Sequence, residues 1–311
     1  MPKALGAGHG RAVKHFRDKV AVITGAASGF GLELARLGAR RGMKLVLADV
    51  QGEALERAAT ELSGAGAEVL WRRIDVARAE DVEALAEAAV TRYGAVHLLF
   101  NNAGVGGGGL IWESTLEDWQ WVLGVNLWGV VHGVRSFVPR MLATASQDPS
   151  YEGHVVNTAS MAGLVNAPNM GVYNVSKHAV VALSETLYQD LQIAEAPIGA
   201  SVLCPYFVPT GIHESERNRP AALSNAQRTS SQVVAQEFAE RAVRSGKVTA
   251  AEVAERTFEA IAEGRFYVVS HPKALGGVRE RAEDIVALQN PRDPFAARPE
   301  VGAALRAALR R

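Results

Sequence analysis

Tyr173 and Lys177 stand four positions apart in a stretch whose apolar residues recur at helical spacing, so both project from one face of a helix. A free phenol ionises near about pH 10. A neighbouring ammonium stabilises the phenolate, which lets such a tyrosine take or give a proton close to neutral pH. Taken alone, the pair also fits a packing tyrosine beside a surface lysine. Ser160 adds a third group. It follows the apolar run 155–159, thirteen residues before Tyr173, where a hydroxyl at a strand end can polarise a substrate oxygen. Asn126 lies in Gly124-Val125-Asn126-Leu127-Trp128-Gly129, a polar amide in apolar helical surroundings that needs a partner. It reads either as part of the same site or as a satisfied buried amide.

A second set of residues has the chemistry of anion binding. The run 20–23 is short and β-like, and it leads into Thr24-Gly25-Ala26-Ala27-Ser28-Gly29-Phe30-Gly31 and then a helical stretch. Glycines there allow a sharp turn and close approach of a pyrophosphate, and the helix start offers unpaired N–H groups. The spacing is Gly-x3-Gly-x-Gly, and a mere tight turn is the competing interpretation. Asp49 ends the second apolar run, eighteen residues after Gly31. In a dinucleotide fold an acid there accepts from the adenosine ribose hydroxyls and repels a 2′-phosphate. Neither Val50 nor Ser28 supplies a cation, so NAD is favoured over NADP. Asp49 as an ordinary turn residue or helix cap is the alternative. Asp75 and Val76 end a third run, where Asp75 can bond an adenine. Asn101-Asn102-Ala103-Gly104 ends a fourth, its small residues leaving room for a cofactor.

These motifs, in this order and spacing, make the chain similar to the short-chain dehydrogenase/reductase family over residues 19–269. The resemblance implies roles. Tyr173 is the general acid/base. Lys177 lowers its pKa and holds the nicotinamide ribose. Ser160 bonds the substrate oxygen, and Asn126 holds a water linking Lys177 to solvent. The cofactor residues implied are Gly25, Ser28, Gly29, Phe30, Gly31, Asp49, Asp75, Val76, Asn102, Ala103, Gly104, Tyr173, Lys177, Pro205, Val208 and Thr210. The activity implied is exchange of a hydride between NAD and a secondary alcohol or ketone, without a metal, by a homodimer or homotetramer. The chain departs from the family where a strand usually runs into Pro-Gly: here it reads Pro205-Tyr206-Phe207, and the two rings are expected to reshape the pocket wall. Two rivals are a catalytically idle NAD(H)-binding sensor and a related epimerase or dehydratase. The intact set at 126, 160, 173 and 177 counts against the first, and the glycine spacing against the second.

The elements that must position these groups follow from the hydrophobic pattern. Seven apolar runs (20–23, 44–48, 68–74, 96–100, 153–158, 199–204, 266–269) alternate with helical stretches, including long ones at 116–141 and 172–191. Continuous apolar strands alternating with helices specify an α/β fold: a Rossmann-type, doubly wound, seven-stranded parallel sheet with helices on both faces. A substrate loop is expected at 211–247, containing short helices, and a C-terminal extension at 271–311 ending in a helix. Residues 1–17 are expected to be a flexible tail ahead of a single catalytic domain, 18–311. Gly106 to Gly109 are expected to form a mobile or open wall. Trp112, Val165, Met170, Tyr206, Phe207 and Ile212 are candidates for an apolar pocket suited to a fairly hydrophobic substrate. Lys plus Arg and Asp plus Glu are 33 each, which gives no general attraction to nucleic acid or anionic membrane. No apolar stretch is long enough for a membrane span and no secretory h-region is evident, so a cytoplasmic protein is expected. The single cysteine, Cys204, is read as a buried strand residue.

Overall fold

The computed structural model describes residues 10–310. Seven strands form one parallel sheet in the order β3-β2-β1-β4-β5-β6-β7. They are β1 (Val20–Thr24), β2 (Lys44–Asp49), β3 (Val69–Arg73), β4 (Leu98–Asn101), β5 (Gly153–Thr158), β6 (Ile198–Cys204) and β7 (Tyr267–Val269). The central strands are buried throughout, as their unbroken apolar sequences require. One face is covered by α1 (Gly29–Arg40), α2 (Gly52–Gly64) and α8 (Ala250–Glu263), whose Leu34, Leu55 and Phe258 share a core with Ile23 and Phe100. The other is covered by α3 (Ala79–Tyr93), α5 (Gly129–Gln147) and α6 (Gly171–Ile193), whose Leu85, Phe137 and Leu187 pack on Val22 and Val155.

The strand order reverses between β1 and β4. Loops leaving the two strands diverge there, and a crevice opens beyond their carboxyl ends. The strands are parallel, so Thr24, Asp49, Asn101, Thr158 and Cys204 all end on this one edge.

Two expectations about elements need correction. Residues 10–17 are not a free tail. Val13 and Phe16 are buried in the core, Val13 N–H donates to Ile261 O (3.1 Å), and Gly10 N–H donates to Gly264 O (3.0 Å). Residues 1–9 of the expected tail lie outside the described residues. The helix expected over 116–141 is present and runs on to Gln147, but as α4 (Leu116–Leu123), a π-helical turn (Gly124–Trp128) and α5 in unbroken succession rather than as one regular α-helix. The π turn falls at Asn126, and such insertions recur at functional sites.

The segment 211–247 carries two 3₁₀ turns, Gly211–Asn218 and Ala221–Leu223, followed by α7 (Ser230–Arg244). Beyond β7 the chain forms α9 (Leu275–Val286) and α10 (Pro299–Leu309), and α10 packs against α7.

Candidate active site

The structure brings the four proposed catalytic side chains to the carboxyl edge of the sheet. Tyr173 and Lys177 lie in the first two turns of α6, with residue exposures of only 8% and 2%. The Lys177 ammonium donates to the Thr158 carbonyl (3.0 Å) and stands 5.7 Å from the centroid of the Tyr173 ring. Ser160 opens a 3₁₀ turn after β5. Its Oγ accepts from Ala162 N–H (3.1 Å) and donates to Pro205 O (3.4 Å), and Ser160 lines the same cleft as Tyr173.

Burial decides the electrostatics. It pushes the Tyr173 phenol above its ordinary value, and the Ser160 hydroxyl pulls it partly back. This is the reverse of the direction expected from pairing with Lys177. Burial also pushes the Lys177 ammonium down to about 8, with the Cys204 sulfur opposing. Cys204 is buried beside them, and its thiol is pushed up to about 12 by the same desolvation. That is the inert strand cysteine expected from the sequence.

Asn126 is fully buried. Its Oδ1 accepts from Val105 N–H (2.8 Å), and its Nδ2 donates to Val105 O (3.0 Å) and to Ser176 Oγ (3.1 Å). The amide is therefore a strut between the π turn, the loop after β4 and α6. One Oδ1 lone pair remains for the expected water. Asn126 Oδ1 and Lys177 Nζ both approach Gly104, where an added Cβ would meet them at 3.4 and 3.5 Å.

The glycine turn is built as an anion cradle. Gly25 and Gly29 have φ of +65° and +54°, and a Cβ at Gly25 would meet Ala103 Cα at 2.8 Å. At Gly29 the nearest atoms belong to Thr210, at 3.4 Å, so this face of the turn looks across the groove to the start of the substrate loop. Ser28 caps α1 without a side-chain hydrogen bond, and no acid occupies the first turn through Phe30 and Gly31. The helix N-terminus keeps its positive end for a ligand. Asn102 braces the cradle: Nδ2 donates to Thr24 O (3.0 Å), and Oδ1 accepts from Thr158 Oγ1 (3.4 Å). These features fit a dinucleotide.

Asp49 is buried at the end of β2 and accepts from Ala27 N–H and Gln51 N–H, each at 3.0 Å. Burial raises its pKa, while those N–H groups and the charge of Arg217 oppose the rise. Asp75 accepts from Ala77 N–H (2.9 Å), and Val76 O accepts from His132 Nδ1 (3.0 Å). Pro205 O receives Met161 N–H, and Val208 is buried close by.

Of the expected site residues, all but Asn126 and Gly31, which lie behind the lining, adjoin one cleft of about 2080 Å³, larger than the roughly 300–1,000 Å³ of ordinary ligand pockets. Val165, Met170, Tyr206, Phe207 and Ile212 line it, as expected. Trp112 does not: it is 76% exposed and lies outside the lining. Tyr206 packs on Phe207 (4.4 Å between centroids), and its N–H donates to Ser270 Oγ (2.9 Å).

The four glycines at 106–109 are not an open wall. Gly106 N–H donates to Ser215 Oγ (2.9 Å), and Gly109 N–H donates to Asn169 O (3.0 Å). A Cβ on Gly108 would meet Ala235 Cβ at 2.5 Å, and one on Gly109 would meet Gln232 Cγ at 2.9 Å. The strip is the close seat of α7. Sequence reading also missed the latch beside it. Arg219, nearly buried, pairs with Asp118 Oδ1 at 2.8 Å and lies 5.0 Å from the Trp121 ring centroid, while Asn225 and Gln232 donate to the same carboxylate. No local signal joins positions so far apart in the chain.

The chain matches the model of the short chain dehydrogenase family over residues 19–221. It belongs to that family. A short chain dehydrogenase/reductase from Burkholderia phymatum, solved in complex with NAD, is 57% identical, with a TM-score of 0.89 over 91% of this chain and all of that one. A CLA biosynthesis dehydrogenase/reductase of Lactiplantibacillus plantarum is 36% identical, covering 88% of this chain and 95% of its own. A 1-deoxy-11-beta-hydroxypentalenate dehydrogenase of Streptomyces exfoliatus is 35% identical, covering 87% and 90% respectively. The chain is thus a short-chain oxidoreductase of the alcohol-dehydrogenase type. Among the described residues no helix is long and apolar enough to cross a membrane.

Proposed function

We propose that this enzyme interconverts a secondary alcohol and a ketone, with NAD as hydride partner and Tyr173 as the group that holds the proton. The observation that carries this reading is that Tyr173, Ser160 and Lys177 line one cleft together with the glycine turn, the Lys177 ammonium 5.7 Å from the phenol ring. NAD, when bound, supplies the hydride chemistry. The chain supplies orientation and proton handling. Ser160 offers a hydroxyl to the substrate oxygen, and Tyr173 gives that oxygen a proton on reduction and removes it on oxidation. Lys177 is fixed by Thr158 O and takes the ribose side, and Asn126 holds the loop at Val105.

The solved relative with NAD supports this cofactor, as does Asp49 at the end of β2. A fairly hydrophobic small molecule is the substrate class, because Val165, Met170, Phe207 and Ile212 face the cleft. The named dehydrogenase relatives are consistent with such substrates. Exposed Leu116, Leu142 and Val175 on α4, α5 and α6 support a homodimer or homotetramer built through these helices.

Tyr173→Phe tests the assignment. Affinity for NADH, read by fluorescence titration, is expected to stay within about twofold, while turnover of a panel of secondary alcohols falls by about 10²–10⁴, the range for loss of a general acid/base. A variant that keeps a tenth or more of the turnover would refute the role.

A further inference from the structure

The stretch Thr210–Asn218 crosses the proposed cofactor groove from one side to the other. It starts above the glycine turn, where Thr210 is the nearest neighbour of a Cβ placed on Gly29. It ends at Arg217, whose Nε–H donates to Gln51 Oε1 (3.2 Å), two residues beyond Asp49. Gly29 belongs to the diphosphate cradle and Asp49 to the adenosine end, so the strap spans both. Ser215 anchors its middle by accepting Gly106 N–H.

The guanidinium of Arg217 is only partly committed. Nη1 donates to Gly211 O (3.1 Å) and approaches Glu214 Oε2 (3.4 Å), whereas Nη2 has no protein partner among the described residues. The side chain is 36% exposed and its carboxylate partner 61%. An ion pair that open contributes little to stability. A planar fork with unpaired donors is suited to phosphate and ribose oxygens. Its positive charge is also felt at the Asp49 carboxylate.

We infer that Arg217 is a cofactor-binding residue, closing the strap over the dinucleotide and donating to its diphosphate–ribose portion. The inference rests on the NAD reading above. It also assigns to the substrate loop a second task, retention of the cofactor at its adenosine end.

The test is NADH titration of the intact chain by fluorescence, with no turnover required. Arg217→Gln is expected to raise the Kd about tenfold and to flatten its dependence on salt, because the lost contact is a charged one. Glu214→Gln is expected to leave the Kd unchanged, since it removes only the partner on the strap. A Kd for Arg217→Gln within twofold of the wild type overturns the inference. So does an equal weakening in Glu214→Gln, which would assign the effect to the strap's own structure. Wild-type protein that fails to bind NADH would overturn the cofactor reading itself, and this inference with it.

Discussion

Tyr173 and Lys177 are both withdrawn from water, and neither carries charge cheaply there. Burial raises the phenol and lowers the ammonium, so the tyrosine keeps its proton more firmly while the lysine gives its proton up more readily. Asp49 faces a similar conflict and resolves it differently. The N–H groups of Ala27 and Gln51 keep a partly desolvated carboxylate compensated at the end of β2, where the proposed cofactor would place its adenosine. That arrangement disfavours a second anion. Asp49→Asn is therefore expected to shift the ratio of NADH to NADPH affinity toward NADPH by at least about tenfold, the effect of removing about 1.4 kcal/mol of repulsion. Parallel titrations with the two reduced cofactors check this, and an unchanged ratio removes Asp49 as the discriminator.

Element by element, the α/β alternation and the cradle at 24–31 were legible because each rests on local pattern: apolar runs, glycines and a helix start. The π turn was not legible, because helical spacing around Asn126 is unbroken in sequence and only pairing with Val105 and Ser176 reveals why the helix widens. Glycines at 106–109 misled in the opposite direction. A glycine run reads as slack, yet here the missing side chains let α7 approach, which only the fold can show. Val13 and Phe16 are isolated in a basic, glycine-rich stretch, too few to announce that they dock on the core. Gly108→Val tests the seat. Its side chain would displace α7 at Ala235, and we expect a KM for substrate raised about tenfold or more, with NADH affinity within twofold. Unchanged KM would mean that α7 does not shape the substrate chamber.

At the scale of the whole molecule, the edge of the sheet opposite the site carries a buried and a half-buried histidine, His154 and His97, which we expect to set its acid tolerance. His154 is fully buried on β5. Its Nε2 lies 2.7 Å from Ser201 Oγ, and Ser201 in turn donates to Arg265 O (2.7 Å), so Nε2 must be the protonated nitrogen. Burial pushes its pKa down to about 4, opposed by the backbone of Arg11. His97 accepts Val20 N–H on Nδ1 (3.1 Å) and is likewise lowered to about 4, by burial and then by Lys19. Both imidazoles are neutral in the folded chain at neutral pH, whereas in the unfolded chain they titrate near the ordinary imidazole value of about 6.5. Between those values the unfolded state binds more protons, so stability falls as pH drops from 6.5 toward 4, and it is untouched above 6.5. His154 alone removes about 1.4 kcal/mol per pH unit in that window, and the more open His97 less. Chemical denaturation at pH 7.5, 6.0 and 5.0 reads this slope, and His154→Gln is expected to flatten it while lowering stability at pH 7.5. A slope that survives undiminished in the variant would place the acid sensitivity elsewhere. The protons that unfold this protein would then be bound away from the seam where β5, β6 and the segment around Arg11 meet.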